Sequence, residues 1–180
     1  MSCCSYAVVV PVWGATHVER FLRWALPSWL APGNLPSLAG SASVDVIILA
    51  GRSDIERIKN NPISALLARH CAVRFAEIDD LIPGGISTVT LTLAFTRGAN
   101  LALADGARPR LIFLNADFVL TDGSIASIAR RLDSGQRMLL CARFGCAKRS
   151  PRHCSPRCGM RPGSWLPQPE PPCALRLTRC

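Results

Sequence analysis

Two hydrophobic periods take turns along the first 140 residues, and their alternation predicts a chain of strands and helices. Ser5 to Val10 is a short β-branched run closed by Pro11, which reads as a buried strand. After Pro11-Val12-Trp13-Gly14, the apolar positions Val18, Phe21, Leu22, Ala25 and Leu26 recur at helical spacing, with Thr16 available as a cap and Pro27 expected to kink or end the helix. The Pro, Gly and Ser residues between Ala31 and Ser43 read as a loop. Val44 to Ala50 is a second strand, and Gly51-Arg52-Ser53-Asp54 leads into an amphipathic stretch (Ile55, Ile58, Ile63, Leu66, Leu67) that Pro62 interrupts. Ala72 to Ile78 alternates as a third strand and runs into Asp79-Asp80 and a Pro83-Gly84-Gly85 break. A long, mostly apolar helix is expected from Ile86 to Ala104, a fourth strand from Arg110 to Asn115, a helix from Ser124 to Leu132, and the start of a fifth strand at Met138 to Ala142.

Strands separated by helices must cross over to reach one another, and such crossovers are right-handed. The fold class expected is therefore α/β: a mostly parallel open sheet with helices on both faces, over residues 1–142. Residues 143–180 break the pattern, holding seven of the fourteen prolines and no hydrophobic period. A doubly wound sheet cannot continue through them. Their Arg, Pro, Cys and Ser mixture is what a GC-rich gene yields when read out of frame, so the expectation is a disordered tail attached to an incomplete sheet domain.

Composition refines this picture at three points. A hydrophobic share of 49% with 18% charged residues is enough to build a core, which excludes wholesale disorder. The net charge of +9 suggests a nucleic-acid binder, but eight cationic residues beyond Ala142 face Glu170 alone, so the excess belongs mostly to the tail. That tail has only Trp165 as an aromatic platform between its charges apart from Phe144, which leaves non-specific phosphate contact and no specific nucleic-acid partner. No apolar run approaches the length of a transmembrane segment, and Met1-Ser2-Cys3-Cys4 lacks a basic leader, so a cytoplasmic protein with reduced thiols is expected. Nine cysteines, an odd number, argue against a complete disulfide framework. In the cluster Cys141, Cys146, His153, Cys154 and Cys158, only Cys141/Cys146 and Cys154/Cys158 come near the paired-knuckle spacing of zinc sites.

The candidate chemistry lies where the fourth strand ends. Ile112-Phe113-Leu114 gives way to Asn115-Ala116-Asp117, an amide and a carboxylate leaving a buried strand at the edge where open α/β sheets hold ligands. A single carboxylate suits Mg²⁺ or Mn²⁺, hard cations that keep waters and take one or two protein oxygens. The plainer alternative is a strand-end turn whose Asx side chain caps the helix near Ser124.

Three segments resemble a known family. They are Val8-Val9-Val10-Pro11-Val12-Trp13 with Phe21, Leu22 and Leu26; Val46-Ile47-Ile48-Leu49-Ala50-Gly51-Arg52-Ser53-Asp54; and Arg97-Gly98-Ala99-Asn100-Leu101-Ala102-Leu103-Ala104 followed by Leu111 to Asp117. Together they resemble the N-terminal, donor-binding half of GT-A fold glycosyltransferases of the kind grouped with family 2. The resemblance implies transfer of a sugar from a nucleotide-diphosphate donor to an unknown acceptor, with Asp117 holding Mg²⁺ or Mn²⁺ and with donor contacts at Pro11, Trp13, Asp54, Arg97, Asn100 and Asn115. Three departures accompany it. Asn115 stands where the family has an aspartate, Ala50 where an acid meets the base, and no residue matches the catalytic base, which lies beyond the fifth strand. The alternative is thus a non-catalytic remnant or nucleotide-binding module. Each position also has a bland reading: Asp54 as a cap for the helix near Ile55, Arg97 paired with an acid such as Asp105, Asn100 as structural, Trp13 in the core, and Asp79 and Asp80 as solvated loop residues.

Overall fold

The computed structural model describes residues 5–82, 87–104, 106 and 108–139. Strand β1 (Ser5–Pro11) sits inside the sheet, and its pleat sends alternate side chains to opposite faces. Tyr6, Val8, Val10 and Val12 enter one core and Ala7 and Val9 the other, all buried. Strands β2 (Ser43–Ala50), β3 (Ala72–Glu77) and β4 (Arg110–Phe113) complete a sheet of order β3-β2-β1-β4 in which every pair is parallel. The α/β class and the open parallel sheet expected from the sequence are what the chain forms.

Helices cover both faces, unequally. One face carries α1 (Ala15–Arg20), α2 (Leu26–Trp29), α3 (Leu35–Ala39), α4 (Arg52–Lys59), α5 (Pro62–Ala68) and α7 (Ser124–Asp133), whose apolar residues pack on the even side of β1. The other face is covered by α6 (Ser87–Leu103) through Ala94 and Ala102. Gly98 lies at the closest approach of α6 to the sheet: a Cβ there would sit 2.3 Å from Val9 Cγ1 and 2.9 Å from Leu49 Cδ1. Only a residue without a side chain lets the helix cross the sheet at this depth.

Three expectations are corrected by the structure. Thr16 does not cap α1; Gly14 is the N-cap, at a φ of +83° that L side chains rarely adopt, and no side chain of the helix's own start serves the cap. Pro27 does not end its helix, because the preceding turn, Phe21–Ala25, widens to a π turn in which the Leu26 amide donates to the Phe21 carbonyl. The wider turn makes room for a ring that would otherwise press on the carbonyl four residues back. The stretch from Ala31 to Ser43 is not all loop: α3 forms inside it, since Pro36 is tolerated in a first turn and Leu35 and Leu38 are fully buried. Pro62 does interrupt the amphipathic stretch, and it does so as the opening residue of α5, with the Asn61 side chain accepting from the Ile63 amide at 3.1 Å. The tail, most of the fifth strand, the cysteine cluster and Asp105 lie outside the described residues. Among the described residues no helix is long and apolar enough to cross a membrane.

Candidate functional site at the carboxyl ends of the strands

In a sheet of order β3-β2-β1-β4 the chain winds outward in one direction from β1 to β3 and then returns past β1 to β4. The reversal falls between β1 and β4, and the crevice beyond their carboxyl ends is where this architecture binds ligands. The two strands run in register from Tyr6 with Arg110 to Val9 with Phe113, and the Leu114 amide extends the ladder by donating to the Val9 carbonyl at 3.1 Å. The segments leaving this adjacent pair are Pro11 to Gly14 on one side and Asn115 to Asp117 on the other.

On the β1 side, Pro11 is buried and paired with Leu49, and the Val12 amide still donates to the Leu49 carbonyl at 2.8 Å. Trp13 is half-buried against the α6-side core. The Gly14 amide donates to Asp54 Oδ2 at 2.8 Å. Asp54 therefore does not cap its own helix, which starts at Arg52 behind Gly51; it sits in the first turn of α4 and secures the N-cap residue of α1. A carboxylate is favoured there by the partial positive charge of both helix starts.

On the β4 side, the Phe118 amide donates to the Asn115 carbonyl at 3.0 Å, closing a turn with Ala116 buried and Asp117 third. Neither side chain caps α7, whose N-cap is Gly123. The residues after this turn are fastened from far away in sequence. Trp29 Nε1 donates to the Phe118 carbonyl at 2.8 Å, the Leu120 amide to Ser28 Oγ at 3.0 Å, and the Gly33 amide to Asp122 Oδ1 at 2.7 Å. Asn34, fully buried, donates through Nδ2 to the Ser28 and Thr121 carbonyls at 2.8 and 3.1 Å and accepts from the Ile125 amide at 3.0 Å through Oδ1. Its amide thereby satisfies the start of α7 from 91 residues away.

At the far edge the chemistry is one of ion pairs. Asp79 Oδ2 accepts from the Arg52 amide at 2.9 Å, so the start of α4 is capped by a residue beyond β3. The Arg52 side chain turns to Glu77 at 3.0 Å. Arg97 donates to both oxygens of Asp80, at 2.8 and 2.6 Å, and to the Glu77 carbonyl at 3.0 Å. The hydrogen bonds from Arg97 hold the Asp80 carboxyl below its ordinary range, and the guanidinium is raised in turn. Asp79 and Asp80 are exposed, as a loop reading expects, and each also holds a hydrogen-bond partner. Arg97 and the exposed Asn100 also line a shallow groove of about 480 Å³ with Leu81 and Leu93.

The geometry brings Trp13 and Gly14, Asn115 and Asp117 to adjoining strand ends, with Asp54 one strand further. It does not bring Arg97 and Asn100 to that mouth. They stand with β3, and β3 and β4 are opposite edges of the sheet, about 14 Å apart at three strand spacings. Among the described residues no three His, Cys, Asp or Glu side chains gather as a metal cage. One carboxylate and one amide at Asp117 and Asn115 fit a hard cation only where a ligand's own oxygens complete the shell. Ser28, Trp29, Asn34 and Asp122 were invisible to sequence reasoning, because the partner of each lies about ninety residues distant and no local spacing announces it.

No family model matches the chain, and no curated protein matches it. Among solved structures, the crystal structure of mouse xyloside xylosyltransferase 1 in its apo form is similar at 20% identity over 74% of this chain and 50% of that one, with a TM-score of 0.43. The chain spans about half the length of that protein.

Proposed function

We propose that this chain is the donor-binding part of a glycosyltransferase and takes a nucleotide-diphosphate-sugar at the crevice between the ends of β1 and β4. The observation that supports this most is the reversal of winding between β1 and β4, with Trp13 on one lip and Asn115 and Asp117 on the other. In this reading Asp117 holds Mg²⁺ or Mn²⁺ together with the diphosphate oxygens, and Asn115 accepts from a ribose hydroxyl. The cation, when bound, absorbs the charge that develops on the departing diphosphate.

The electrostatics of the strand ends favour a cation. A bare phosphate commonly settles on free amides at a helix start. Here the Gly14 amide beside the crevice is taken by Asp54, so a carboxylate stands where an anion would go. A diphosphate without a counter-ion is repelled. Asp54 serves by fixing the Gly14 turn beneath the donor, Pro11 and Trp13 form the floor on the β1 side, and Arg97 braces the β3 end through Asp80, with Asn100 beside it.

Calorimetric titration tests this. UDP should give heat with Mn²⁺ and none without it, and Asp117→Asn should weaken the Mn²⁺-dependent binding by about tenfold or more. Binding that ignores the metal, or an Asp117→Asn protein that binds as tightly as the parent, would sink the proposal. Binding without release of UDP from a UDP-sugar identifies the second reading, a nucleotide-binding module that transfers nothing.

A further inference from the structure

A loop that carries ligand groups is useful only as far as something holds it still. The turn Asn115 to Phe118 begins a run of nine residues before α7, with no helix or strand of its own to stiffen it. We infer that Ser28, Trp29 and Asn34 are positioning residues for the Asn115–Asp117 corner. Acting through the backbone of Phe118, Leu120, Thr121 and Ile125, they fix where its oxygens meet a cation-bound diphosphate. This inference rests on the donor-binding reading of that corner.

The contacts form one built unit. Trp29 is fully buried with its ring edge-on to Phe21 at 5.4 Å, so its Nε1 has one direction in which to point, and there it meets the Phe118 carbonyl. Phe118 is the residue that closes the turn, and Asp117 precedes it directly. Ser28 Oγ donates to the Ala25 carbonyl at 2.6 Å and accepts from the Leu120 amide, so its hydroxyl is used in both directions. Asn34 spends both amide protons and its oxygen, joining Ser28, Thr121 and Ile125 in one buried node. All three residues follow the π turn at Phe21–Ala25, and a widened turn rotates every later side chain relative to a regular helix. The π turn sets the aim of Ser28 and Trp29 as well as accommodating Pro27.

Buried, fully satisfied networks specify a single arrangement, and supporting residues of this kind typically change ligand or metal affinity by about 10- to 100-fold when removed. The test uses Mn²⁺ and UDP as probes with three variants. Ser28→Ala removes the half-buried acceptor of the Leu120 amide; Trp29→Phe keeps a ring in the pocket and removes its N–H. Ile58→Val trims a buried α4 side chain far from the loop, as a control for stability alone. Expected are cooperative unfolding in all three, faster hydrogen exchange at the Leu120 amide in Ser28→Ala, and about tenfold weaker Mn²⁺-dependent UDP binding in Ser28→Ala and Trp29→Phe but not in Ile58→Val. Loss of the free-Mn²⁺ EPR signal reports the same binding independently of heat. Binding unchanged in Ser28→Ala and Trp29→Phe, or weakened equally in Ile58→Val, overturns the inference. Should the parent protein itself fail to bind Mn²⁺ and UDP, the donor-binding reading fails and this one with it, while the exchange at the Leu120 amide still shows whether Ser28 holds the loop.

Discussion

Replacing Gly98 by alanine should destabilise the domain although alanine is the better helix former. In an exposed helix the substitution gains about 1 kcal/mol. At Gly98 the new methyl would lie 2.3 Å from Val9 Cγ1 and 2.9 Å from Leu49 Cδ1, whereas carbon atoms settle at about 3.5–4.0 Å. Leu49 can swing its terminal methyl aside, but Val9 is branched at Cβ and buried in a central strand, so α6 must lift or β1 must move. Overpacking of this kind costs about 1–3 kcal/mol, and the short distance argues for the upper part of that range. After the helix gain is subtracted, a net loss of about 1–2 kcal/mol remains. With a urea slope of about 2 kcal/mol per molar, the unfolding midpoint should fall by roughly 0.5–1 M. Val9→Ala alone should lose roughly 2 kcal/mol, from two buried methyl groups and the cavity they leave. In that background Gly98→Ala fills the space, so its own effect should shrink to nothing or change sign. A penalty of equal size with and without Val9, or a single Gly98→Ala variant more stable than the parent, would refute the close-approach argument.

Other outcomes follow from the polar contacts. Asp54→Ala leaves the Gly14 amide without its acceptor and should lower stability by about 1 kcal/mol in urea melts, while Asp54→Asn, which keeps an oxygen, should stay near the parent; equal effects would show that the hydrogen bond is immaterial. The Asp80 carboxyl is held below its ordinary value of 3.8 by Arg97, so its contribution to stability is fully present above that value and is lost as pH falls through and below it. Parent and Asp80→Asn should therefore differ at neutral pH and converge under acid, and a difference that persists at pH 2 contradicts the pairing. Burial, with a smaller push from Asp45, raises the Cys71 thiol to about 11 from 9.0. Folding keeps this proton on, so the contribution is present below pH 9.0 and disappears as pH climbs toward 11. In the native protein at pH 8, peptide mapping should find Cys71 unreacted with iodoacetamide and modified once urea is added; rapid native labelling would show the site to be open.

The sequence by itself determined the class and, among the described residues, every strand and helix except α3. Runs such as Ser5 to Val10 and Val44 to Ala50 are apolar on both faces, which only a strand covered on both sides needs, and the helical spacings between them require parallel crossovers. It also located the exit of β4 with Asn115 and Asp117, because an apolar run that stops at an amide and a carboxylate is a local event. Tertiary structure decided how the helix starts are satisfied. Thr16 and Asp54 looked like caps of their own helices, yet the N-cap amide of α1, the first amide of α4 and the second amide of α7 are served by Asp54, Asp79 and Asn34, each from another element. The neighbours of Arg97 were likewise settled by packing: Gly98 brings α6 down onto β1 and β2, and the guanidinium meets Asp80 at the edge opposite β4. The physical reason is one of range. Periodicity and propensity act within a few residues and are written in the local sequence, whereas an amide at a helix start donates to whichever oxygen the fold carries to it, and here that oxygen comes from 27 to 91 residues away.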